Sequence, residues 1–99
     1  MILGLVRHVL IDVINWNSEL QERVLKALSE CTVTCIYSYS DLEHISVYRC
    51  RSLIVIIYIS NSHKEGFIDL LGDEEDFTDK ITSVLPRENI VIRFIERGV

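Results

Sequence analysis

The sequence predicts an α+β domain built as a two-layer α/β sandwich, and three observations carry that expectation. Residues Leu53 to Ile59 read Leu-Ile-Val-Ile-Ile-Tyr-Ile, an unbroken apolar run with five β-branched members. Seven residues are too short for a membrane span, and the β-branching favours a strand. Stretches of this kind alternate along the chain with segments of helical spacing behind capping signals, in the order β-α-β-(short α)-β-α-β. The flanking strands carry polar residues on one side: Thr32, Thr34 and Ser38, with Ile36 among them, on one, and Arg93 and Arg97 on the other. A sheet that is apolar at its centre and polar at its margins suits helices on one face only.

Residues 5–14 read as a first strand through Val6, Val9, Ile11, Val13 and Ile14. An amphipathic helix with Leu3, Val6, Leu10 and Val13 inward competes for the same segment. Ser18-Glu19-Leu20-Gln21 is a capping box, with Ser18 as the cap and Gln21 reaching back. Leu20, Val24, Ala27 and Leu28 follow as the buried stripe of a helix ending near Ser29-Glu30. Thr32 to Ser38 is then a strand.

Ser40-Asp41-Leu42-Glu43 is a second capping box, predicting a short helix with Leu42, Ile45 and Tyr48 on one side. The apolar run follows as the central strand. On a strand, Leu53, Val55, Ile57 and Ile59 face one way and Ile54, Ile56 and Tyr58 the other, and neither set is polar. The run therefore requires cover on both sides. Asn61 to Gly66 is a polar loop, and Phe67 to Leu71 fits either a strand or a helical turn. Asp73 can cap a third helix with Phe77, Ile81, Val84 and Leu85 inward, stopped by Pro86. Ile90 to Glu96 alternates as a last strand. With no linker and no repeat, residues 1–99 form a single domain.

That order is compatible with a ferredoxin-like two-layer sandwich, the favoured layout, and with a three-layer flavodoxin-like sheet as the alternative. The two differ in what covers Ile54, Ile56 and Tyr58. In the three-layer form, the helix after Ser40 would cross over them. In the two-layer form, a second subunit would.

Composition narrows the chemistry. A net charge of −5 argues against a phosphate-binding surface. The pairs Arg49/Arg51 and Arg93/Arg97 offer only a small local patch, so no nucleic-acid partner is expected. An RNA-recognition platform would need aromatics and glycines where Arg51 to Tyr58 places isoleucines. Cys31, Cys35 and Cys50 are an odd number, and Cys31 and Cys35 on one strand would lie about 13 Å apart. Reduced, half-buried thiols in an intracellular setting are expected. Arg7, His8 and Asp12 interrupt the apolar N-terminal residues, so neither a secretory leader nor a membrane segment is expected.

No constellation of catalytic residues stands out. Asp73, Glu74, Glu75, Asp76 and Asp79 are dense in carboxylates, but Phe77 and Thr78 occupy the fifth and sixth places of any calcium loop. Carboxylates at a helix N-terminus, favoured by its partial positive charge, account for the cluster. His8, His44 and His63 lack metal-ligand spacing, and Gly4, Gly66, Gly72 and Gly98 are too isolated for a phosphate-cradling loop. Cys35 and Cys50 read as small core residues, and Asp12 at a strand end stands without partners for a mechanism. Enzymatic activity, a metal and a cofactor are accordingly not expected.

Fourteen isoleucines against one alanine, with one glutamine and one methionine, mark an A/T-rich coding background, and thermolabile side chains are few. In length and in runs such as Leu53–Ile59 and Ile90–Ile95, the chain resembles small uncharacterised proteins of the filamentous and rod-shaped viruses of hyperthermophilic archaea. That resemblance implies a thermostable accessory protein acting in the host cytoplasm, and it assigns no site residues.

The functional expectation is a non-enzymatic interaction or assembly protein, self-associating as a homodimer, with Ile54, Ile56 and Tyr58 as the contact and room for a further protein partner. The alternative is a small regulatory domain binding a metabolite between subunits, with the Asn61–Gly66 loop as its polar contact.

Overall fold

The computed structural model describes residues 6–40, 42–72 and 75–97. Its elements are β1 (Val6–Ile14), α1 (Ser18–Ala27), β2 (Thr32–Ser40), β3 (Glu43–Cys50), β4 (Leu53–Ser60), β5 (Glu65–Leu71), α2 (Glu75–Thr82), a 3-10 turn (Arg87–Asn89) and β6 (Ile90–Arg97). All six strands join one sheet in the order β2-β3-β4-β5-β1-β6, and every neighbouring pair is antiparallel.

This corrects the expected architecture. The molecule is a mainly β, antiparallel six-stranded sheet with two short helices, neither a ferredoxin-like nor a flavodoxin-like α/β sandwich. The difference arises at two segments. Residues 43–50, expected as a helix, form β3, and residues 65–71 form β5. Leu42, Ile45 and Tyr48 do recur every third residue, but Ile45 and Val47 also alternate with Ser46 and Tyr48. Between β2 and β4, a strand satisfies two open rows of backbone N–H and C=O groups that a helix would leave unpaired. Strands β2 to β5 therefore run as a continuous meander, and β1 fits between β5 and β6.

Short turns set the register. Arg51, with φ 57°, and Ser52 form the two-residue turn from β3 to β4, and Lys64, with φ 53°, ends the turn into β5. Gly66 is required by packing: a Cβ there would lie 2.2 Å from the Tyr58 carbonyl oxygen. Two bulges interrupt the β2–β3 ladder, between Val33 and Cys35 and between Ser38 and Ser40. They bend the outermost strand and blunt its free edge.

Both helices contribute to a single core. Leu20, Val24, Ala27 and Leu28 from the first, with Ile81 and Leu85 at and beyond the second, bury themselves among Val9, Ile11, Val13, Val55, Ile57, Ile68 and Leu70. The cap of α1 is Asn17, one residue before the expected Ser18; its side chain accepts from the Leu20 N–H at 2.9 Å. Asn15, with φ 54°, turns the chain out of β1, and the Trp16 N–H donates to the Lys64 carbonyl at 2.7 Å. The expected cap Asp73 lies outside the described residues. No helix among the described residues is long and apolar enough to cross a membrane.

The cysteines also require correction. Cys31 and Cys50 form a disulfide, with Cα atoms 4.5 Å apart, which closes the base of the β2–β3 hairpin. The expectation of reduced thiols rested on the odd number of cysteines and on the distance between Cys31 and Cys35 along one strand. The pairing of Thr32 with Arg49 is what brings Cys31 to Cys50. Cys35 is free and exposed on β2, not a core residue.

Candidate functional site

Strand β4 divides its side chains between two environments. Val55, Ile57 and Ile59 are buried under the helices, with Val55 fully enclosed. Ile54 is 46% exposed, and Ile56 and Tyr58 are half-buried. No element among the described residues lies over them, because the segment that would have covered them is part of the sheet.

Register builds the open face row by row. Arg49, Ile54, Leu71 and His8 stand abreast; next come Cys35, Val47, Ile56, Asp69, Leu10 and Arg93. The third row is Tyr37, Ile45, Tyr58, Phe67, Asp12 and Val91. Ile54, Ile56 and Tyr58, singled out from sequence, thus form one edge-to-edge patch with Ile45, Val47 and Phe67. Tyr58 and Phe67 stack with ring centroids 5.2 Å apart and planes 24° from parallel.

Polar groups gather on the β1 side of this patch and pair with one another. His8 Nε2 donates to Asp69 Oδ1 at 2.7 Å, and Arg93 reaches Asp12 Oδ2 at 3.2 Å. His8 and Asp12 thus belong to two separate cross-strand pairs. Arg49 faces the open side beside Ile54 while Arg51 lies in the turn. Arg93 is engaged by Asp12. Sequence reasoning missed Phe67, Ile45 and Val47 because their segments were read as a possible turn and a helix. Their period-two alternation was the available signal.

The remaining candidates do not converge. His44 lies on β3, sharing a 2.9 Å hydrogen bond with Ser38, and His63 is exposed in the loop after β4. Among the described residues, no group of three His, Cys, Asp or Glu side chains is placed to hold a metal. The Asn61–Gly66 loop is fixed at both ends: the Asn61 N–H donates to the Leu42 carbonyl, and the Lys64 carbonyl accepts from Trp16.

The chain matches no protein-family model and no curated protein.

Proposed function

We propose that this protein is a non-enzymatic, self-associating interaction protein whose contact is the open face of the sheet. The observation that carries the reading is the apolar patch of Ile45, Val47, Ile54, Ile56, Tyr58 and Phe67, which no part of the described chain covers. Six strands spaced about 4.8 Å apart and about 26 Å long make a face on the order of 700 Å². That approaches the roughly 800 Å² each partner contributes to a stable interface, with the apolar residues at its centre and the charged ones beside them.

A second copy is the fitting occupant. Two such sheets stack at about 10 Å separation with strands some 30° apart, and a two-fold axis makes the same patch serve both sides. Charge permits this despite the chain's net −5, since Asp69 and Asp12 are already paired within the face. The Cys31–Cys50 bridge supports a setting in which disulfides persist, either an oxidising compartment or the disulfide-tolerant interior of a hyperthermophilic archaeon.

Light scattering at micromolar concentration tests the contact. Wild type should show twice the mass of the 11.5 kDa chain, and Ile56→Lys should give the single chain with unchanged circular dichroism. A wild-type monomer, or a dimer that survives Ile56→Lys, would overturn the proposal.

A further inference from the structure

A cleft opens between the two helices. Arg23, Lys26 and Ala27 of α1 line it with Lys80, Ser83 and Val84, in and just beyond α2, around about 480 Å³ of space. Three cations and no carboxylate thus surround one space in a chain whose net charge is −5. Net charge alone argues against an anion site, but the concentration here is local. It is not visible along the sequence, because the basic residues come from helices far apart in the chain.

Little within the chain neutralises these cations. Lys26 makes no ion pair among the described residues, and Lys80 rests over the Phe77 ring with its Nζ 5.5 Å from the centroid. Arg23 Nη2 donates to Glu19 Oε1 at 2.6 Å, but both side chains stand largely in water, where such a pair contributes little. The guanidinium keeps its other N–H donors. The negative ends of the helix dipoles account for one lysine in the last turn of each helix, but not for Arg23 or for the meeting of all three. Ser83 donates its hydroxyl to the Lys80 carbonyl at 2.9 Å, so recognition falls to the cations.

We propose that this cleft binds a small phosphate monoester with an apolar body. Such a group carries about −1.5 to −2 charges at pH 7 and three acceptor oxygens, which suits three converging cations better than the single charge of a carboxylate. An arginine presents paired N–H donors to phosphate oxygens, and a lysine meets them as a point charge. The space equals about sixteen liquid waters, more than a phosphoryl group fills, and Ala27 and Val84 supply apolar wall for the remainder. All the lining residues belong to the helical layer, so the site stands or falls separately from the proposed dimer contact.

Phenyl phosphate, inorganic phosphate and phenol are the probes, titrated at low ionic strength while backbone amides are followed by NMR. Phenyl phosphate should shift the amides of Arg23 to Leu28 and Lys80 to Leu85 saturably, bind about fivefold more tightly than inorganic phosphate, and weaken as salt is added. The double variant Lys26→Gln/Lys80→Gln should weaken its binding about tenfold or more. Arg51→Gln/Lys64→Gln removes the same charge from the two turns and should leave affinity within about twofold. No saturable response to phenyl phosphate, or an equal loss in the two double variants, would overturn the site. Phenol binding as tightly as phenyl phosphate would overturn the phosphate assignment, and inorganic phosphate binding as tightly would overturn the apolar body.

Discussion

Ile57 and Ile54 belong to the same strand and have the same side chain, yet they occupy opposite situations. Ile57 is 2% exposed beneath α1, while Ile54 stands 46% exposed on the other side of the sheet. On the covered face, the α1 stripe of Leu20, Val24 and Ala27 meets Ile57, Val55 and Ile11 in close packing. On the open face, Ile54, Ile56 and Tyr58 meet only their strand neighbours. Equal hydrophobicity thus does two jobs: on one side it stabilises the fold, and on the other it remains available for association.

Paired substitutions would break this contrast most directly. Ile57→Ala should cost about 3 kcal/mol or more, through lost burial and the cavity left behind. Ile54→Ala, measured by denaturant unfolding in dilute solution, should cost less than about 1 kcal/mol, as side chains with little burial do. If the open face is a dimer contact, the Ile54→Ala cost should grow with protein concentration while that of Ile57→Ala keeps its excess. Comparable dilute costs would mean that both faces are covered within one chain.

Removing the Cys31–Cys50 bridge comes next in magnitude. The hairpin it closes overhangs α1, and most β2 side chains lie exposed. Reduction, or Cys50→Ser, should lower stability by about 3 kcal/mol for a loop of this length, read as a shift in denaturant midpoint. The loss should loosen β2 and β3 first, visible as faster amide exchange there than in β1 and β5.

The smallest expected effect concerns the docking of α1. Asn17→Ala removes the acceptor for the Leu20 N–H and should cost about 1 kcal/mol in thermal or chemical unfolding. Because α1 lies only on the covered face, the mass of the proposed dimer should be unaffected. A variant that dissociated the dimer would tie the two faces together and contradict the separation drawn between them.

Some of this was legible in the residues. The Leu20–Leu28 stripe marked α1, Phe77 and Ile81 marked α2, which ends at Thr82 rather than at the expected Pro86, and the alternation of Ile90 to Glu96 marked β6. Residues 43–50 were not legible in this way. Ile45 matches Tyr48 at helical spacing and Val47 at strand spacing, and the choice was made by hydrogen-bonding rows on β2 and β4. The Asn17 cap was missed by one position, since Asn17 and Ser18 are both competent caps and only the chain path out of Asn15 selects between them.

The candidate contact shows the same division. That Ile54, Ile56 and Tyr58 share a side follows from strand alternation alone. Their joining with Val47, Ile45 and Phe67 depends on a register that pairs residues from separate segments. The bridge between Cys31 and Cys50 and the pairing of His8 with Asp69 are likewise products of that register. Local sequence determined the apolar run in β4, its two faces and the amphipathic helices, because backbone geometry gives each period a direct meaning. Tertiary structure alone decided which face the helices cover, since coverage depends on contacts between residues far apart in the chain.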